Sequence, residues 1–170
     1  CDICNEHNEN YKVIQDCLID KEKTLIQGLS TGVIPTDGSV TALGSYCFAE
    51  QDIEEVTIPD SISTISSNAF SRCVKLHSVT LPTTITTLDA TCFAWCKNLA
   101  YIDLPEGLVY IKTYVFDSCP FTDVEIPSTA RYLLANSFGN MSSLRKVVFK
   151  GDKRPLTITE NAFINSGDHE

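Results

Sequence analysis

Apolar residues recur along most of this chain at fixed offsets within a unit of 22–24 residues. Residues 70–92 show the unit most clearly. Val79 and Leu81 are two apart and alternate with Ser78 and Thr80, the period of a strand with one buried side. Pro82 ends that strand, because proline has no N–H to give to a ladder. Ile85 and Leu88 are three apart, which predicts a short extended or 3₁₀ return segment. A small residue and a phenylalanine then close the unit by filling the core beneath the far side.

Two residue types hold this period in one phase. Prolines stand at 35, 59, 82, 105 and 127, and phenylalanines at 48, 70, 93, 116, 138 and 163. The copy that starts at Phe93 carries Cys96, Leu99, Ile102, Leu104, Pro105, Leu108 and Ile111. The next runs Phe116, Cys119, Phe121, Val124, Ile126, Pro127, Ala130 and Leu133, one residue shorter near Phe121. A further copy gives Phe138, Met141, Leu144, Val147 and Phe149, with Gly151 close to the place of the proline. An earlier one gives Phe48, Ile53, Val56, Ile58, Pro59, Ile62 and Ile65. One such unit cannot bury its own apolar residues, whereas stacked units can, so the pattern predicts a solenoid with a continuous core and a parallel strand ladder. The unit is too short for the two helices of the common helical repeats.

Leu76-x-x-Val79-x-Leu81 matches the strand core of leucine-rich repeats. The fuller pattern L-x-x-V-x-[IL]-P-x-x-[IV]-x-x-[IL]-x-x-x-[AC]-F-x-x-C resembles the BspA-like (Treponema-type) leucine-rich-repeat family over residues 33–163. That resemblance implies a right-handed superhelical solenoid. It would be mainly β with short 3₁₀ or helical turns, with a parallel ladder on the concave face and an N-terminal β-hairpin cap. The cap is expected within Tyr11–Ile26, as two strands around the polar turn Asp20-Lys21-Glu22-Lys23. Residues 1–32 are then the N-terminal segment and cap, 33–163 five repeats and a partial sixth, and 164–170 a tail or truncated repeat. The chain is expected to be a segment of a longer protein. The family's glycine before the Ala-Phe segment stands at Gly44, but Ser66, Asp89 and Lys112 take its place later. By resemblance the protein is bacterial or occasionally protist, secreted, and extracellular or at the cell surface. It would act in adhesion or in binding a host or cell-surface protein or glycan. The alternative is a structural spacer or accessory domain with no ligand of its own.

Composition narrows the partners. The 170 residues carry 13 Lys and Arg against 22 Asp and Glu, a net charge of −9, which argues against nucleic acid. Residues 1–125 hold 18 acids and 7 bases, whereas residues 126–156 hold Arg131, Arg145, Lys146, Lys150, Lys153 and Arg154 against Asp152 alone. This unevenness reads as a surface that varies between repeats, or as a field that steers a charged partner. No apolar run approaches the length of a membrane span, so no membrane insertion by this segment is expected.

Cys73, Cys96 and Cys119 each stand three after the repeat phenylalanine, and Cys47 and Cys92 stand just before it. Small apolar residues suit both places, so these cysteines read as core rungs more than as a disulfide framework. Cys1, Cys4 and Cys17 lie outside the repeat register. Cys1-x-x-Cys4 is a weak metal or redox motif, and a Cys4–Cys17 bridge is its alternative.

No catalytic constellation stands out. His7, His77 and His169 are scattered, and no nucleophile elbow or phosphate loop occurs. Asp103 and Asp123 do not make a glycosidase pair on a shallow surface. No enzyme activity, cofactor or metal is therefore expected. The outward strand positions form two rows, and these are the expected ligand-binding residues. One row is Glu55, Ser78, Tyr101, Asp123 and Lys146; the other is Thr57, Thr80, Asp103, Glu125 and Val148. Tyr101 with Asp103, Asp123 and Glu125 would form an acidic patch around one aromatic ring. Trp95 is the single tryptophan; the polar residues at its place in other copies predict partial exposure, packed beside Tyr114 or marking a contact.

Overall fold

A computed structural model describes residues 10–151 and 156–167. The chain winds into a β-solenoid of about five turns, and no helix occurs among the described residues. Cys1, Cys4, His7, Lys153, Arg154 and His169 lie outside those residues. The expected Cys1-x-x-Cys4 motif and the Cys4–Cys17 bridge therefore fall there too. Cys17 itself is a buried free thiol whose Sγ donates to the Val33 carbonyl at 3.3 Å.

The N-terminal cap has three strands, not two: β1 (Tyr11–Ile14), β2 (Cys17–Asp20) and β3 (Thr24–Gln27), all antiparallel. A two-residue turn splits the first expected strand, with Gln15 and Asp16 both at positive φ (48 and 63°), the twist that joins hairpin strands without splaying them. Asp20 supports the second turn, where its Oδ1 accepts the Thr24 N–H at 2.8 Å.

The coils stack through two strand sets. Pre-proline strands are β5 (Glu55–Thr57), β7 (Ser78–Thr80), β10 (Asp123–Ile126) and β12 (Lys146–Phe149). Return strands are β4 (Ala42–Leu43), β6 (Thr64–Ile65), β8 (Thr87–Leu88), β9 (Tyr110–Ile111), β11 (Tyr132–Leu133) and β13 (Thr157–Ile158). The continuous ladder runs along the return strands. All six join β1–β3 in one nine-stranded sheet, parallel from β3 onward. Among the described residues the pre-proline strands pair only as β5 with β7 and β10 with β12. Two residues per coil suffice for the return ladder because Ile65, Leu88, Ile111 and Leu133 all point into the core and fix the register.

The segment around each phenylalanine forms a third set of rungs, in place of the expected helical turns. Alternate N–H groups serve two purposes. In coil two the Asn68, Phe70 and Arg72 N–H groups donate to Ala90, Cys92 and Ala94 of the next coil. The Ala69, Ser71 and Cys73 N–H groups between them close turns onto Ser66, Asn68 and Phe70. Alternation breaks the run of i→i+3 bonds a 3₁₀ helix needs. It also puts two residues per coil into left-handed backbone, among them Asn68 and Arg72, Thr91 and Trp95, and Tyr114 and Ser118.

Side chains at these left-handed positions touch from coil to coil. Glu50 lies 3.9 Å from Arg72, whose guanidinium sits 5.0 Å over the Trp95 ring. Further along, Asn165 donates to Asn140, and Asn140 donates to the buried Asp117 at 2.7 Å. Trp95 is half-buried, in keeping with its polar equivalents, and its indole is covered by Arg72.

A single column of rings runs through the core. Phe48, Phe70, Phe93, Phe116, Phe138 and Phe163 stack with centroids 5.1, 5.3, 5.9, 5.4 and 5.2 Å apart. Phe121 takes the place of the repeat leucine in the shortened coil and meets Phe116 at a 50° tilt. Gly28 crosses the first ring of the column so closely that a β-carbon there would fall 1.9 Å from Phe48 Cε1. Gly44 is required for a similar reason: its β-carbon would fall 2.8 Å from the Leu25 carbonyl oxygen of the cap. Ser66, Asp89 and Lys112 donate their N–H groups to the Leu43, Ile65 and Leu88 carbonyls as Gly44 does to Leu25, at 3.0, 3.4 and 3.1 Å against 2.9 Å.

The core cysteines are hydrogen-bond donors as well as small apolar residues. Cys73, Cys96 and Cys119 donate their thiols to the Phe48, Phe70 and Phe93 carbonyls of the preceding coil at 3.0, 3.3 and 3.2 Å. Ser166 takes the same place and donates to Phe138 at 2.5 Å. Burial raises the thiol pKa to about 11 at Cys73 and about 12 at Cys119, and raises it at Cys47, Cys92 and Cys96 as well.

Candidate functional site

The pre-proline strands set the two expected rows side by side. Glu55 pairs in register with Ser78, Thr57 with Thr80, Asp123 with Lys146 and Glu125 with Val148. Val56, Val79, Val124 and Ile102 point inward from these segments and are buried. Val147 and Val148 are both half-buried, and Phe149 is 42% exposed, so burial alternates less sharply in the last strand than the pattern predicts.

Tyr101 and Asp103 belong to neither strand pair. Among the described residues, no backbone hydrogen bond joins residues 100–104 to the coil on either side. Repeat register places Asp103 beside Glu125, and like charges opposed across a ladder work against pairing. The following coil is also one residue short. The ladder therefore opens at the third coil while the return ladder behind it stays closed, through Thr87↔Tyr110 and Leu88↔Ile111.

A groove of about 590 Å³ occupies this opening. Ser78, Thr80 and His77 form one wall, and Tyr101, Asp103 and Glu106 the other. Tyr101 is 61% exposed. Four of the ten expected residues thus meet at one place. Asp123 and Glu125 are not among the groove's walls. Asp123 accepts a hydrogen bond from Thr122 at 2.9 Å, and Glu125 pairs with Lys150 at 2.8 Å. Lys150, paired with Glu125, also feels Asp103 and Glu106, so Glu125 stands beside the groove without lining it. Glu55 lies 4.0 Å from His77, an ion pair only when the imidazole is protonated. Lys146 and Val147 line a different hollow of about 450 Å³, near Phe163.

Glu106 and His77 are additions that the two-row reading missed. Glu106 follows Pro105, off the strand, and accepts from the Ser128 hydroxyl at 2.7 Å and its N–H at 3.1 Å. These hydrogen bonds hold its carboxyl below the ordinary range. Asp60 has the same role in an earlier coil, where it accepts the Thr83 N–H at 2.9 Å. An acid just after the proline was the available signal. On the other side, the hydrogen bond and charge of Glu125 hold the Lys150 ammonium above its ordinary value, with smaller contributions from Asp103 and Glu106.

A second exposed feature lies on the return ladder. Tyr110 and Tyr132 stack at 4.6 Å with planes 2° apart. Among the described residues no group of three or more His, Cys, Asp or Glu side chains is placed to hold a metal ion. No helix there is long and apolar enough to cross a membrane.

The family model for BspA type leucine-rich repeat regions matches residues 41–168 in six copies. No curated protein matches in sequence. Among solved structures, the chain is similar to a leucine-rich cell surface protein from Faecalibacterium prausnitzii, at 26% identity and a TM-score of 0.74. That alignment covers 86% of this chain and 41% of the other. A leucine-rich repeat protein from Bacteroides ovatus aligns at 24% identity and a TM-score of 0.64, over 81% of this chain and 39% of that one. The pneumococcal vaccine antigen PcpA shares the fold, with 20% identity, a TM-score of 0.79, and coverage of 94% and 41%. The chain thus spans about two-fifths of the length of these proteins.

Proposed function

The chain belongs to the BspA-type leucine-rich-repeat family, and on that premise we propose that it is a surface-displayed module that binds a protein partner across its pre-proline face. The observation that carries this reading is the opening of the ladder at Tyr101, where an exposed ring and a groove coincide on an otherwise regular scaffold. Leucine-rich surface proteins as a family point to interaction rather than chemistry. An aromatic ring is the side chain that most often anchors a protein contact. Extracellular or cell-surface location and an adhesive role follow from the same reading, supported by the cell-surface description of the Faecalibacterium prausnitzii protein.

The test is a binding screen of this segment against arrays of extracellular proteins and of glycans, run beside Tyr101→Ala/Asp123→Lys. A protein hit lost in the double variant supports the reading. A protein hit that survives it overturns the choice of face. Hits confined to glycans overturn the choice of partner, and no hit at all favours the spacer or accessory role.

A further inference from the structure

We propose that the groove at the third coil is a seat for one arginine side chain of the partner, an inference that rests on reading this face as a protein-binding surface. Shape, charge, hydrogen bonding and stacking each select that group.

Shape comes first. Neighbouring pre-proline strands are zipped together at β5–β7 and β10–β12, but the segment carrying Tyr101 pairs with neither. The walls combine an apolar base, Val79 and Leu81, with polar rims at Ser78, Thr80, Asp103 and Glu106. A long side chain with an apolar stem and a polar head fits such a section.

Charge comes second. Asp103 and Glu106 line the groove, the Glu106 carboxylate held by Ser128, and Glu125 stands beside it, paired with the Lys150 ammonium. His77 on the opposite wall is offset by Glu55. With a net charge of −9 on the whole chain, the complement is a cation.

Hydrogen bonding and stacking separate arginine from lysine. Carbonyls of residues 100–104 lack partners in the ladder, and the Asp103 carboxylate adds two more acceptor atoms. A guanidinium brings five N–H donors in one plane, whereas an ammonium brings three around a point. Tyr101 offers an open ring face at the rim, over which a guanidinium stacks. The chain already makes this contact internally, with Arg72 lying 5.0 Å over Trp95.

The experiment is an amide-resolved NMR titration of this chain with N-acetyl-arginine N-methylamide, and separately with the lysine analogue. Saturable shifts confined to residues 77–81 and 101–106 are expected, with the arginine analogue roughly fivefold tighter than the lysine one. Tyr101→Ala and Asp103→Asn should each weaken it roughly threefold to fivefold, and 0.5 M salt should weaken it further. Tyr110→Ala, on the other ladder, should leave it unchanged. The exposure of all three side chains leaves folding intact in the variants, which a far-UV spectrum checks. Shifts spread over the acidic surface, equal response to lysine, or indifference to Tyr101→Ala and Asp103→Asn would overturn the arginine seat. In that case a protein hit in the binding screen that depends on Tyr101 would still stand, so the two readings fail separately.

Discussion

Raising the pH should unfold this protein through its cysteines. Cys47, Cys73, Cys92, Cys96 and Cys119 are buried free thiols. In the unfolded chain each takes the ordinary value of 9.0, while burial raises all five in the folded one. Folding then binds protons in alkaline solution. The stabilisation from each thiol is whole below pH 9 and is lost as pH rises toward the folded value, about 11 at Cys73 and about 12 at Cys119. At pH 10 an unfolded thiol gains about 1.4 kcal/mol by ionising, and the five together about 7 kcal/mol. A domain is stable by only about 5–15 kcal/mol, so unfolding near pH 10 is expected. The assay is urea unfolding followed by circular dichroism between pH 8 and pH 10, under reductant. Cys73→Ser/Cys96→Ser/Cys119→Ser keeps a donor to the phenylalanine carbonyls, as Ser166 does to Phe138. It should lose about 4 kcal/mol less than the parent over that range. Equal losses in the two proteins would refute the reasoning, as would native thiols that react at pH 8 as fast as unfolded ones.

Three further outcomes follow from the stack and the turns. Phe93→Ala removes a ring buried between two others and should cost about 3–5 kcal/mol in urea unfolding, followed through Trp95 fluorescence and circular dichroism together. Gly28→Ala drives a methyl group into the Phe48 ring and should cost about 1–3 kcal/mol in the same assay, although the residue lies outside the repeats. Thr91→Gly relieves a β-branched residue at φ 64° and should raise stability by about 0.5–1 kcal/mol; a loss of stability would show that the left-handed turn is not strained there.

The repeat was legible because proline, phenylalanine and the alternating aliphatics each satisfy a different local demand at one period. Val79, Leu81, Ile85, Leu88 and Phe93 are buried as that period predicts. What escaped the pattern depends on backbone conformation and on neighbours distant in sequence. Thr64–Ile65 and Thr87–Leu88 read as return segments because two residues carry too short a signal for a strand. Gln15–Asp16 lacks the glycine or asparagine that marks a tight hairpin turn, yet both residues take positive φ. Gly28 is informative only once Phe48 stands beneath it. At the candidate site, Ser78, Thr80, Tyr101 and Asp103 were placed by register alone. That Asp123 and Glu125 stand beside the groove without lining it could not be, because the groove depends on the unpaired backbone at residues 100–104.

The ring column also fixes how the chain would yield to force. Successive rings are 5.1–5.9 Å apart, so each coil stores 22–25 residues of chain in that small advance. Pulled straight, about 23 residues reach roughly 75 Å. Each coil touches only its neighbours, so tension between the two ends frees coils one after another. Extension would come in steps of roughly 70 Å, one ring freed at each. Held between two attachments, the protein would dissipate a sudden load coil by coil.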